Sequence, residues 1–184
     1  IFSDGAAATL ISSVEDDEDK IGPFVFGTDG SGAENLIVPA GGLRKPCTLE
    51  TRIEKEVGKG ISRSEQNLFM NGNEVFNFTL RVVPQSVSEL LAKSQLSIND
   101  VDFFVYHQAN KFMLDHLRRK LKIPKEKFCI NLDTYGNTVS STIPMALERA
   151  IQHGQIKNGD NVMLVGFGVG YSWAATLVKL LIGE

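Results

Sequence analysis

From residue 71 onward the apolar residues alternate between two spacings, and this alternation limits the fold more than any other feature of the chain. "NGNEVFNFTLRVVPQSVSELLAKSQL" places Val75, Phe76, Leu80, Val83, Val87, Leu90 and Leu91 three and four residues apart, which predicts a helix. Pro84 lies inside it and removes one backbone donor, so a kink or a break is expected there. "SINDVDFFVYH" predicts a short connection and then a buried strand. "KFMLDHLRRKLKI" predicts an amphipathic helix with Phe112, Leu114, Leu117 and Leu121 inward, stopped by Pro124. "FCINL" predicts a further strand, and "STIPMALERAIQHG" a helix with a Ser or Thr cap and a terminal Gly154. "DNVMLVGFGVGYSWAATLVKLL" predicts two apolar strands joined by a glycine turn, a hairpin.

The upstream part is less regular. "IFSDGAAATLISSV" predicts a strand whose small residues, Gly5 to Ala8, let another backbone approach closely. "EDDEDK" predicts an acidic, solvated turn, and "GPFVFGT" a second strand, antiparallel to the first if that turn closes a hairpin. Gly30 to Pro46 reads as a long loop, and Glu50 to Glu65 has no clear period, so it is loop or weak helix. Strands alternating with helices argue an α/β fold, with parallel crossovers in the middle and antiparallel strands at the edges. A length of 184 residues is close to that of one domain and buries a real core. The net charge of −3 carries no nucleic-acid signature. Two cysteines, Cys47 and Cys129, form neither a disulfide framework nor a metal-ligand spacing, and a cytoplasmic setting is expected. No apolar run approaches the roughly 18 residues of a membrane span. No signal peptide is read at the start. The opening Ile-Phe-Ser-Asp, already apolar, reads as a piece of a longer protein.

Two apolar runs end in polar clusters. "VDFFV" gives way to "YHQAN", and "FCINL" is followed by "YGNTVSS", with His107 and Asn137 thirty positions apart (137 − 107). Ligands of such sheets sit beyond the carboxyl ends of strands, so both clusters are candidates for one site. Taken alone, His107 reads as a satisfied structural histidine and "GN" as turn chemistry. Taken together, two neutral N–H donors converging on one point suit a developing oxyanion or enolate. The glycine turn in "GFGVGYSW" presents backbone N–H groups that suit an oxyanion hole, although by itself it is only a tight turn. His116 and His153 read as surface or structural residues.

"SDGAAA", "NGNEVF", "HQAN", "YGNTVSSTIPMAL" and "GFGVGYSWAA" follow one another in an order similar to that of β-ketoacyl-acyl-carrier-protein synthase III. The resemblance runs from Phe2 to about Leu181, and it is to the carboxyl-terminal half of that thiolase-fold condensing enzyme. It implies an α/β, thiolase-like fold: a mixed five-stranded sheet with helices packed on it, one half of a duplicated fold. Residues 1–30 would then hold the last strand region of the amino-terminal half and the start of this one. Residues 31–66 would be a connecting loop region, and 67–184 the carboxyl-terminal domain.

By position, the resemblance implies that His107 and Asn137 are the catalytic pair that stabilises the enolate. Backbone N–H groups near Gly168 and Val169 would form the oxyanion hole. Gly72 and Asn110 would line a pantetheine tunnel, and Phe76 would wall the acyl site. The implied substrates are acyl-CoA and malonyl-acyl carrier protein, in fatty acid biosynthesis. No metal and no cofactor is implied beyond these coenzyme A and carrier thioesters. The implied partners are the missing amino-terminal half and a second copy in a homodimer, with no nucleic acid and no membrane. The family's nucleophilic cysteine belongs to the absent half, and Cys47 and Cys129 read as structural, so this chain alone is expected to be inactive. Lys111, Arg118, Arg119, Lys120, Lys122, Lys125 and Lys127 crowd one stretch. Alone they read as a solvated face; beside the implied site, Lys111, Arg118, Arg119 and Lys120 become candidates for docking an acidic carrier. Two departures stand out: Val169 replaces a common glycine, and Phe112 stands where many relatives carry a basic residue, which displaces docking. The alternatives are a non-catalytic thiolase-fold partner subunit and a polyketide- or quinolone-type condensing enzyme.

Overall fold

The computed structural model of the chain describes residues 2–15, 18–58 and 60–182. In chain order the strands and α-helices are β1 Ile21–Thr28, β2 Leu36–Ile37, β3 Lys55–Glu56, β4 Ser62–Arg63, β5 Phe69–Met70, α1 Gly72–Ser94, β6 Phe103–Tyr106, α2 Lys111–Lys120, α3 Leu132–Tyr135, α4 Thr142–Gln152, β7 Asn161–Gly168 and β8 Ser172–Lys179. Among the described residues no helix is long and apolar enough to cross a membrane.

The chain divides into two compact units. The first comprises residues 1–27, 80–167 and 173–184, and the second residues 28–79 and 168–172. The first is built on a sheet of order β1-β8-β7-β6. β6 and β7 are parallel, with Phe103 opposite Val162 and Tyr106 opposite Val165. β7 and β8 form the predicted hairpin. β1 runs antiparallel to β8: Lys179 N–H donates to the Lys20 carbonyl, and Gly22 and Gly27 lie against Leu177 and Trp173. All four residues of β6 are buried, so this strand is covered on both faces, as parallel strands require. Phe103 and Val105 pack with Ala146 and Ala150 of α4, and with Cys129, Ile156 and Val162. Side chains of this size stabilise by about 1.5–3 kcal/mol each on full burial. His107 therefore emerges from a strand anchored on both faces.

α1 continues through Pro84 without a break. Pro84 cannot donate to the carbonyl of Leu80, four residues back. Lys120 of α2 donates its Nζ to that same carbonyl at 2.7 Å, so the orphaned acceptor has a partner. Lys120→Met is expected to lower stability by about 1 kcal/mol. Urea unfolding checks this against Lys122→Met, which should leave the midpoint unchanged; equal midpoints would mean that water serves Leu80 as well.

Three expectations need correction. The stretch Phe2 to Val14 is no strand: it makes one bridge, Phe2 with Asn137, and then lies exposed, Leu10 at 93%. The sheet ends at β1 and β6, and this stretch pairs with neither; it runs beside the Asn137–Ser141 loop instead. At Gly5 the close neighbour is a side chain and not the expected backbone: a Cβ there would lie 2.7 Å from Thr138 Cγ2. "FCINL" contributes a single bridge, Phe104 with Phe128, so the sheet has four strands among the described residues rather than five. After Cys129 the backbone turns away, because Asn131 N–H is taken by the Gln108 side chain. On α2 the inward residues are Met113, Leu114 and Leu117, while Phe112 is 66% exposed. That helix ends at Lys120, before Pro124. Lys122 takes a left-handed φ of 57°, and Ile123 N–H returns to the Arg118 carbonyl, a Schellman closure.

In the second unit β2 pairs with β5 and β3 with β4, each antiparallel and two residues long. The Glu50–Glu65 stretch thus holds a short ribbon and no helix. Tyr171 N–H donates to the Asp29 carbonyl, Asp29 N–H returns the bond, and the Tyr171 ring stacks on Phe78 at 3.9 Å.

Candidate active site

His107 directly follows β6, and its N–H continues the ladder to the Val165 carbonyl. Its Nδ1 lies 2.7 Å from Thr142 Oγ1, at the start of α4. Its ring meets Phe167 edge-on, with centroids 5.4 Å apart. Burial pushes the pKa of His107 below the ordinary histidine value, and the Val139 carbonyl partly opposes that shift. The neutral imidazole is therefore the favoured form near pH 7.

Asn137 sits in the loop between α3 and α4 and is buried. Its Oδ1 accepts from Val139 N–H at 2.9 Å, which turns the carboxamide nitrogen the other way. That nitrogen reaches the carbonyl of Ala109, two residues beyond His107, at 3.4 Å. The Asn137 carbonyl accepts from Ser3 N–H at 2.8 Å, so the exposed amino-terminal stretch braces this loop. Gly136 precedes it at φ 64°, ψ −151°, a conformation open essentially to glycine alone.

Val139 ties the two side chains together. Its N–H fixes Asn137, while its carbonyl accepts from the Thr142 hydroxyl at 2.8 Å, and that hydroxyl contacts His107. Val139 does this at φ 58°, unusual for a β-branched residue, and such strain collects where the surroundings over-determine the backbone. A second link lies beneath. The buried Gln108 donates to the Tyr106 carbonyl and accepts from Asn131 N–H, and Asn131 Oδ1 accepts from Arg149 of α4. Arg149 also binds Thr134 and pairs with Asp133 at 3.6 Å. The His107 and Asn137 loops are thus held to each other from both sides.

The structure brings His107, Asn110 and Asn137 to this end of the first unit. Asn110 caps α2, its Oδ1 accepting from Met113 N–H at 2.8 Å. Gly72, Phe76, Gly168 and Val169 belong to the second unit. There Gly72 opens α1, Phe76 is half-buried, and Val169 lies exposed in the turn after Gly168. The basic residues of α2 are largely engaged. Lys111 pairs with Asp115, Arg119 Nε binds the Asp115 carbonyl, Arg118 Nη1 binds the Ile123 carbonyl, and Lys120 binds Leu80. Cys129 is buried, with its thiol pushed up to about 11 by desolvation, and Cys47 is exposed. Among the described residues no cluster of His, Cys, Asp and Glu is arranged to hold a metal ion. Sequence reasoning missed Val139, Thr142, Gln108, Phe167 and Arg149; Thr142 directly follows Ser141, which holds the expected Ser/Thr cap position of α4.

Residues 91–180 match the family model for the carboxyl-terminal part of 3-oxoacyl-[acyl-carrier-protein (ACP)] synthase III. The chain is 42% identical over 181 residues to β-ketoacyl-[acyl-carrier-protein] synthase III of Natranaerobius thermophilus, covering 97% of this chain and 52% of that protein. A crystal structure of 3-oxoacyl-(acyl-carrier-protein) synthase III matches 91% of the chain and 50% of its own length, at TM-score 0.88 and 49% identity. The priming β-ketosynthase of the R1128 polyketide pathway matches at TM-score 0.74 and 27% identity, over 92% of this chain and 47% of its own. The chain spans about half the length of the curated relatives it matches. It belongs to the β-ketoacyl-[acyl-carrier-protein] synthase III family, with the thiolase-like fold, and corresponds to the carboxyl-terminal half of its members.

Proposed function

We propose that the chain works as the carboxyl-terminal half of an acyltransferase that condenses an acyl thioester with malonyl-acyl carrier protein in fatty acid biosynthesis. The observation that carries this reading is the shared anchoring of His107 and Asn137 by Val139. In the extender, the bond to the free carboxylate breaks, CO₂ leaves, and the electron pair moves into an enolate whose oxygen was the thioester carbonyl. The Asn137 carboxamide, turned toward the His107 loop, and the imidazole of His107 donate to that oxygen. The enolate carbon then attacks the acyl group on a cysteine, whose thiolate departs. Donors fixed before the reaction stabilise such charge without reorganising.

The nucleophilic cysteine comes from outside this chain. Cys129 is buried with a raised pKa, the opposite of an activated thiol. The N–H groups near Gly168 and Val169 hold the oxyanion of the acyl step. In the first unit Asn110 borders the path of the acyl-pantetheine arm; Gly72 and Phe76 are assigned to that arm by the family resemblance alone. The full-length protein is a cytoplasmic homodimer. Carrier docking falls to the exposed basic end of α2. Arg119→Glu tests it better than Lys120, which is tied to α1. It should raise KM for the carrier and flatten its salt dependence, with acylation by acyl-CoA unchanged; equal losses with both would sink the docking role.

The activity test incubates the full-length protein with acyl-CoA and malonyl-carrier, and 3-oxoacyl-carrier with stoichiometric CO₂ is expected. This chain alone should show no acyl adduct by intact-mass spectrometry. An adduct on Cys47 or Cys129, or no condensation by the full-length protein, would contradict the reading.

A further inference from the structure

The imidazole of His107 has two neutral tautomers, and only a proton on Nε2 lets that nitrogen donate. The other nitrogen, Nδ1, faces Thr142 Oγ1 at 2.7 Å. That hydroxyl has one proton and two places to send it. When it points at the Val139 carbonyl, 2.8 Å away, Oγ1 can only accept, so the ring proton sits on Nδ1 and Nε2 is a bare acceptor. When it points at Nδ1, the ring proton must sit on Nε2, which then donates. The second arrangement leaves no orphan, because the Val139 carbonyl also accepts the backbone N–H of Thr142. Thr142 is itself buried, as a hydroxyl directing a single hydrogen bond must be.

We propose that Thr142 is the positioning residue that lets neutral His107 present an N–H at Nε2, by rotating its hydroxyl onto Nδ1. No bond to a heavy atom changes in Thr142; only its O–H rotates, while the ring proton exchanges through solvent. Removing the hydroxyl takes from Nδ1 the O–H that can donate to it, and with it the preference for the ring proton on Nε2. This inference rests on the reading of His107 as a donor to the thioester oxygen, but its test needs no substrate.

The test is ¹⁵N spectroscopy of histidine-labelled protein at a pH where His107 is neutral, with its signals identified by their loss in His107→Gln. The two ring nitrogens report the tautomer ratio directly. Thr142→Val, with Thr142→Ala as a second variant should valine disturb folding, is expected to move the ratio about tenfold toward the Nδ1–H form, the scale of one lost hydrogen bond. Thr142→Ser should keep the wild-type ratio, a rescue that packing alone would not give. An unchanged ratio in the valine and alanine variants, or a serine variant shifted as far as alanine, overturns the role of Thr142. If the ratio moves as expected and decarboxylation nevertheless survives in His107→Ala, the proposed function fails and the tautomer assignment stands.

Discussion

In the full-length protein, His107→Ala and Asn137→Ala are each expected to slow decarboxylation of the malonyl extender by about 10²–10³, the usual loss on deleting one oxyanion-type donor. Acylation by acyl-CoA should fall far less, because neither side chain is assigned to that step. The site explains why deletion should not be repaired locally. Asn137 is held by the Val139 N–H and His107 by Thr142, so neither partner swings into the space that the other vacates. The double variant should lose little more than the worse single one, since donors acting on one oxygen are not additive. Single-turnover CO₂ release, measured beside acylation by mass spectrometry, checks both statements; normal CO₂ release by both variants would refute the pairing.

Gly136→Ala should cost about 1–3 kcal/mol of stability and, separately, most of the decarboxylation rate. Two features combine there. The backbone at φ 64°, ψ −151° excludes a side chain, and a Cβ would lie 2.5 Å from Ser3 Oγ. A turn of the Ser3 side chain relieves the contact, but the backbone strain is relieved only by moving the peptide that leads into Asn137. Gly154→Ala is the control. Gly154 also has a positive φ, 67°, at the end of α4, but nothing lies within 4 Å of its Cβ position. It should cost about 1 kcal/mol and leave catalysis alone. Urea unfolding together with the CO₂ assay separates the two, and a Gly136→Ala protein with full decarboxylation would show that Asn137 is placed by other means.

The central elements were legible because burial writes a strong pattern. "VDFFVYH" is apolar on both strand faces and became β6, and the glycine-bounded runs of "DNVMLVGFGVGYSWAATLVKLL" became the β7–β8 hairpin. Gly154 closes α4 as its position predicts. Phe112 misled because ring size outweighed helix phase. At about 100° per residue, Met113, Leu114 and Leu117 share one arc that leaves Phe112 outside. The amino-terminal stretch misled because a strand depends on a distant partner, and apolar content alone does not supply one. His107 and Asn137 were visible as polar residues closing apolar runs. Val139 was not: a valine at a left-handed φ has no counterpart in propensity, and its value comes from pointing N–H and C=O at two different neighbours. Arg149 and Gln108 were hidden for a similar reason, since the sequence separation between Arg149 and Asn131 says nothing of their hydrogen bond.

In the proposed reaction the Asn137 carboxamide and the His107 imidazole donate to the same thioester oxygen. The most direct measurement is the ¹⁵N response of both side chains as the full-length protein is saturated with a non-decarboxylating malonyl-thioester analogue. Asn137 Nδ2 and His107 Nε2 should shift together, with one dissociation constant, and His107→Ala should weaken the Asn137 response. Saturation of the analogue with either nitrogen unmoved would contradict the pairing.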